Sequence, residues 1–243
     1  MGLCARDRLA VALDLPSLER AREAIDALDG VPGWLKVGAQ LFAAAGPEAV
    51  RAAGRRGRVF LDLKLHDIPR QVAAAVDAAT AHGVSMLTLH AAGGSAMLAA
   101  AREAAEDAAA RTGRERPALV AVTVLTSLGE DGLAEVGVAG GVDRQVGRLL
   151  DLARAAGLDG VVASAREAAW IRRRAGAGFT IVTPGIRGAG DPPDDQTRTA
   201  PAGEAVAAGS DLLVVGRPIL RSGDPAAAAR AVVDEIERAL AAA

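Results

Sequence analysis

Tyrosine is missing from this sequence, and Phe and Trp number only three and two among 243 residues. So few rings cannot build the stacking platform on which single-stranded nucleic acid is held. Net charge is nearly absent as well. The 28 Lys and Arg against 30 Asp and Glu leave a formal charge of −2, without the basic excess that binding to a phosphate backbone requires. A single cysteine, Cys4, excludes an internal disulfide framework and any cysteine-based zinc cluster. No apolar run approaches the roughly 18 residues of a membrane span. The opening MGLCARDR has no apolar h-region, and Arg6 stands where a myristoylation signal needs Ser or Thr. These absences predict a soluble, cytoplasmic protein that engages neither nucleic acid nor membrane.

What is present is apolar residues, at 51%, in a regular alternation of two kinds of segment. Short β-branched or Leu-rich runs lie at 8–14, 34–38, 58–64, 84–90, 118–124, 159–163, 179–183 and 211–215. They are nearly continuous in apolar residues, the pattern of parallel strands covered on both faces. Ala-rich stretches with helical spacing separate them, near 17–29, 40–55, 69–82, 94–112, 142–156, 165–175, 201–208 and 225–242. Ser17, Ser164 and Asp224-Pro225 stand where helix-opening residues are wanted. Eight strand–helix units of roughly 30 residues predict a single-domain (β/α)8 TIM barrel over 1–243, with its active site at the C-terminal face of the strands. The competing doubly wound sheet would call for G-x-G-x-x-G after the first strand, and none is there. Two long Gly-rich segments, 125–141 and 184–196, follow the fifth and seventh strands and read as lids without secondary structure of their own.

Charges gather at the strand ends. Asp14 ends the first strand, Lys36 lies near the end of the second, and Asp62, Lys64 and Asp67 close the third. A period of two puts Asp62 and Lys64 on one face, and all five side chains are expected to converge at one barrel mouth. Such charges are costly to bury unless paired, so a structural ion-pair plug competes with a reactive site. Gly216-Arg217 after the eighth strand and Pro184-Gly185-Ile186-Arg187 after the seventh sit where barrels often bind phosphate. Arginine forks and exposed backbone N–H groups suit such an anion, although two solvated surface arginines would look the same. His66, His82 and His90 lack metal-ligand spacing. His82 reads as a helix end, and His90, at the end of strand four, serves a site or a structural bond equally well.

The segment FLDLKLHDIP (60–69), with its Asp-x-Lys-x-x-Asp pattern, resembles the orotidine 5′-phosphate decarboxylase family. ALD at 12–14, KVG at 36–38, VTVLTS at 122–127, TPGIR at 183–187, Asp195-Gln196 and VVGRPI at 214–219 extend the resemblance along essentially the whole chain. It implies decarboxylation of orotidine 5′-phosphate to uridine 5′-phosphate without metal or other cofactor, in a homodimer with shared sites. By this resemblance Asp14 and Lys36 would bond the ribose hydroxyls. Asp62, Lys64 and Asp67 would form the charged network at the reacting carbon, with Asp67 supplied by the neighbouring subunit. Ile68 and Gln71 would join the nucleotide contacts, Gln71 standing where the family usually has Thr. Thr126, with Ser127 a second candidate, would contact the pyrimidine, and Arg187, Gln196, Gly216 and Arg217 would hold the phosphate.

The chemistry agrees. Loss of CO2 from C6 of a pyrimidine leaves an unstabilised carbanion, so the protein must place a fixed charge and a proton there. Lys64 between two carboxylates should keep its ammonium form, stabilise that charge and protonate the carbon. A carboxylate beside the substrate's own would also repel the ground state. One ammonium cannot supply the upper end of the roughly 8–23 kcal/mol by which enzymes lower barriers, so the remote phosphate grip and closure of the 184–196 loop must contribute. The nearest rival, the magnesium-dependent sugar-phosphate decarboxylases and aldolases of the same superfamily, would carry a metal-binding Glu on the second strand, where this chain has Lys36-Val37-Gly38. A non-catalytic nucleotide-binding barrel would keep the phosphate residues and lose the charged network.

Overall fold

A computed structural model of the chain describes residues 4–188 and 198–242. Its strands are β1 Leu9–Ala12, β2 Trp34–Gly38, β3 Arg58–Leu65, β4 Met86–His90, β5 Ala118–Val122, β6 Gly160–Val162, β7 Thr180–Thr183 and β8 Leu212–Val215. Every apolar run predicted as a strand forms one, β3 running one residue beyond its predicted end at 64. The strands pair in chain order, all parallel, and β8 returns to β1 to close the barrel. The expected eight-stranded architecture is therefore the one observed.

The helices α1 Leu18–Ala27, α2 Ala39–Ala45, α3 Pro47–Gly54, α4 Pro69–Ala81 and α5 Gly94–Thr112 cover the first half of the barrel. The second half carries α6 Glu130–Glu135, α7 Gly141–Ala155, α8 Ala165–Ala175, α9 Ala202–Ala207, α10 Arg217–Leu220 and α11 Pro225–Ala241. The caps are where the sequence puts them. Ser17 accepts from Arg20 N–H at 3.3 Å, Ser164 makes a capping box with Glu167, and Asp224 accepts from Ala227 N–H at 2.9 Å. Among the described residues, no helix is long and apolar enough to cross a membrane.

Three expectations need correction. The stretch 40–55 is two helices, because Gly46, at φ +56°, turns the chain and Pro47 opens a new first turn. The segment 125–141 is not without secondary structure: α6 forms inside it, with Glu130 and Asp131 in the first turn and Leu133 buried. The short α10 adds a helix beyond the eight expected, since four residues carry no periodicity.

Side chains on the even-numbered positions point into the barrel. Ala10, Trp34, Phe60, Met86, Val120, Val182 and Leu212 form its inner cluster, while a larger cluster fills the space between strands and helices. The lower end is plugged by Trp34, whose Nε1–H donates to the Asp7 carbonyl at 3.0 Å. Arg58 lies 4.3 Å above the Trp34 ring centroid and pairs with the Asp7 carboxylate. With the bottom closed, the space inside opens only toward the C-terminal ends of the strands.

Candidate active site

That opening is a cavity of about 690 Å³, a size suited to a small-molecule ligand. Its lining divides by strand. Asp14, Lys36, Asp62 and Lys64 line the side of β1–β3, and Val122, Val162, Val182 and Val214 the side of β5–β8.

The charged side is built by register. Lys36 pairs with Ala12 across β1–β2, and Gly38 with Asp62 across β2–β3. The Leu13 N–H donates to the Lys36 carbonyl at 2.9 Å, which carries Asp14 to the mouth. Lys36 Nζ then lies 3.0 Å from Asp14 Oδ1 and 3.4 Å from Asp62 Oδ2. A Cβ on Gly38 would come within 2.6 Å of Asp14 Oδ1 and 3.0 Å of Lys36 Nζ. A larger residue there would have to displace the ends of both side chains.

Lys64 Nζ donates to both oxygens of Asp62, each at 2.9 Å. The pairing of β3 with β4 shifts register between Leu61 and Leu65, and Lys64 sits inside that irregularity at φ +49°. A non-glycine residue in the left-handed region carries backbone strain on the order of 1–2 kcal/mol. Thr88 stabilises it. Its hydroxyl accepts the Lys64 N–H at 2.8 Å and donates to Asp62 Oδ1 at 3.0 Å.

Burial disfavours the ammonium of Lys36, but the carboxylates of Asp62 and Asp14 outweigh it and hold its pKa above the ordinary lysine value. Burial would likewise raise the Asp62 carboxyl. Lys36 and Lys64, with the hydrogen bonds of Lys64 and Thr88, reverse that and hold it below the usual carboxylate range. The charges at the centre of the network are thus kept charged by one another.

The structure brings together four of the five charges expected at the mouth, and Asp67 stands apart. Its carboxylate accepts the Ile68 N–H at 2.6 Å and does not line the cavity. Asp67, Ile68 and Gln71 are all exposed, Ile68 at 63%, and none of them lines this chain's own pocket. Thr126, Arg187, Gly216 and Arg217 do line it. Gly216 and Arg217 form the junction of β8 with α10, and Arg187 follows a bridge between Ile186 and Ala200. Gln196 and most of the predicted lid 184–196 lie outside the described residues.

Of the histidines, His82 caps the C-terminal end of α4, the helix-end position expected for it. His90 takes the structural alternative: its Nδ1 accepts the Ala92 N–H at 3.3 Å, and its ring stacks on His66 with centroids 5.2 Å apart. Burial, together with His66 and Lys64, pushes its pKa down. Among the described residues, no group of three or more His, Cys, Asp or Glu is placed to hold a metal ion.

Sequence reasoning misses Thr88 and Gln40. Thr88 has one signal, its even-numbered place on β4 two residues from Met86, which points it into the barrel. Gln40 lines the cavity from the first turn of α2, and nothing in its neighbourhood marks it.

Comparison with known proteins places this arrangement. Residues 7–232 match the family described as "Orotidine 5′-phosphate decarboxylase / HUMPS family". The chain is 52% identical over 235 residues to the orotidine 5′-phosphate decarboxylase of Moorella thermoacetica, covering 96% of this chain and 93% of that one. It is also 52% identical over 239 residues to that of Alkalilimnicola ehrlichii, covering 98% of each. The crystal structure of orotidine 5′-phosphate decarboxylase from Lactobacillus acidophilus superposes with a TM-score of 0.84 at 35% identity, covering 95% of this chain and 99% of that one.

Proposed function

The chain belongs to the orotidine 5′-phosphate decarboxylase / HUMPS family, and within it we propose that this protein decarboxylates orotidine 5′-phosphate to uridine 5′-phosphate in pyrimidine nucleotide synthesis. It is then a carboxy-lyase, as its relatives at about half identity are named. The observation that carries the reading is the chain of contacts Asp14–Lys36–Asp62–Lys64, closed on one side by Thr88 and open to the cavity on the other. A lysine occupies β2 where the sugar-phosphate branch would need an acid, so that branch is not favoured.

The steps follow from the charges. The pyrimidine enters against the valines of β5–β8, where the low local dielectric strengthens every charge facing it. The C6–CO2 bond breaks, CO2 departs and the electron pair stays on C6. Lys64 Nζ faces that carbon, stabilises the developing charge and transfers a proton to it, and Lys64 is reprotonated from solvent. Asp62 fixes the position of Lys64 and repels the substrate carboxylate. Asp14 and Lys36 bond the ribose hydroxyls. Thr126 contacts the base, and Arg187, Gln196, Gly216 and Arg217 hold the phosphate.

Asp67, Ile68 and Gln71 serve the site of a second subunit in a homodimer. What supports this is that all three are exposed and none lines its own cavity. Mixing Asp62→Ala with Asp67→Ala subunits should then restore up to roughly a quarter of the native activity, since half of randomly formed dimers are mixed and each has one intact site of two. No recovery with mixed dimers demonstrated would place the whole site within one chain.

The primary test adds orotidine 5′-phosphate to the purified protein with excess chelator and follows the orotate absorbance. Rapid loss is expected. Loss only when magnesium is restored, or no loss with uridine 5′-phosphate still bound, would overturn the assignment.

A further inference from the structure

Behind the apolar rim of the cavity lies a buried ion pair that the proposed reaction does not use. Arg198 and Glu167 are 8% and 3% exposed, and Arg198 Nη1 bonds Glu167 Oε1. The other end of the fork, Nη2, donates to the carbonyls of Leu125 at 3.0 Å and Val124 at 3.3 Å. The second oxygen of Glu167 accepts the Ser164 N–H at 2.7 Å. Two residues beyond Arg198, Ala200 accepts the Arg187 N–H at 3.0 Å and donates to the Gly185 carbonyl at 3.2 Å. One side chain therefore cross-links the chain where it leaves β5, β6 and β7. The three segments it ties present Thr126, Ala163 and Arg187 to the cavity.

Such a pair is an expensive way to hold three loops together. Hydrophobic replacement of a buried ion pair is often neutral or stabilising. Here burial pushes the Glu167 carboxyl above its ordinary value despite the adjacent guanidinium, and Arg198 Nε is buried without an acceptor among the described residues. What a guanidinium does that no apolar group can is satisfy a carboxylate and two carbonyls at once in a fixed plane. That plane sets the direction of the main chain just before Thr126.

We propose that Arg198, oriented by Glu167, is a positioning residue that fixes the base-contacting rim at Leu125–Thr126 relative to the phosphate-contacting rim at Arg187, so that the nucleotide is held at both ends in one geometry. This rests on the reading of the cavity as the orotidine 5′-phosphate site. A displacement of about 1 Å in such a rim is enough to cost about 100-fold in rate.

The test is a double-mutant cycle between Arg198→Met and Thr126→Ala, read as kcat/KM for orotidine 5′-phosphate, with melting temperatures measured in parallel. Arg198→Met should lower kcat/KM about 10- to 100-fold, and Arg198→Lys, lacking the fork, should not restore it. Thr126→Ala should cost roughly 10-fold in the native background but less than about two-fold beside Arg198→Met, because the contact is already lost. Effects that multiply, or an Arg198→Met variant that melts lower yet keeps kcat/KM within about two-fold, would make the pair purely structural. If Arg198→Met does not fold, Glu167→Gln, which retains an acceptor for Ser164, replaces it in the same cycle. Failure of both to fold overturns the proposal too. A native chain that leaves orotidine 5′-phosphate unchanged sinks the reading of the site and the strut with it. An active native chain with multiplying effects sinks the strut alone.

Discussion

Toward the barrel mouth, the side of β1–β4 carries Asp14, Lys36 and Asp62, with Thr88 bonded to Asp62, whereas the side of β5–β8 carries Val122, Val162, Val182 and Val214. The two halves face one another across the same cavity and solve opposite problems. On the charged half each group is tolerated because a partner lies within 2.8–3.4 Å, so the four residues and the Lys64 backbone form one unit. On the apolar half the four valines need no partner, and that wall serves to exclude water. Neither half would suffice alone. Charges in an open aqueous mouth would be screened, and an apolar cavity without them would offer a departing carboxylate no counter-charge. The asymmetry shows how one closed sheet can bind a nucleobase on one side and run charge chemistry on the other.

Removing the central charge should break the comparison most severely. Lys64→Ala is expected to lower turnover by about 10⁴-fold or more, while calorimetry still detects uridine 5′-phosphate binding through the apolar half and the phosphate contacts. Turnover near native would remove Lys64 from its assigned role. Arg217→Ala acts on the other half. It should weaken kcat/KM for the phosphorylated substrate about 10- to 100-fold, chiefly through KM, and an unchanged KM would take Arg217 out of the phosphate site.

A subtler change tests the support of the network. Thr88→Val keeps the shape of the side chain and removes the bonds to Lys64 N–H and Asp62. Urea denaturation should show a loss of about 1–3 kcal/mol, with a several-fold drop in kcat as Lys64 loses its left-handed anchor. A stability equal to native would mean the hydroxyl contributes nothing to holding the bulge. The smallest effect concerns pH. The Asp62 carboxyl lies below its ordinary value in the fold, so its contribution is present above the unfolded carboxylate pKa. It is lost as pH falls through the lower folded value, below about pH 4. Lys36 behaves conversely, its stabilisation being present below the unfolded lysine pKa and lost as pH rises through the higher folded one. Asp62→Asn should therefore flatten the acid limb of a stability–pH curve, and an unchanged limb would show that Asp62 does not govern it.

Much of the charged half is legible in the order of amino acids alone. Asp14, Lys36, Asp62 and Lys64 stand at the ends of runs that are otherwise apolar, and in a parallel barrel those ends share one face. The apolar half is legible only as strands, because a valine lining a site and a valine in a core look alike in sequence. Asp67 shows the limit from the other side. Its spacing joins it to Asp62 and Lys64, but its carboxylate accepts the Ile68 N–H at the start of α4 and does not line its own cavity. The segment 125–141 hides α6 for a related reason. Its helix is six residues long, too short for a period to show.

By itself the sequence determined the alternation of eight strands and their helices, the caps that open α1, α8 and α11, and which strand ends bear charge. Each of these is local or periodic, set by residues within a turn or two of one another. Only the tertiary structure decided the register shift that puts Lys64 at φ +49°, the placement of Thr88 between Lys64 and Asp62, and the pairing of Arg198 with Glu167, 31 residues away. Those contacts join segments that meet only when the barrel closes. Closure, and not local preference, supplies the burial that makes a partner for every charge obligatory.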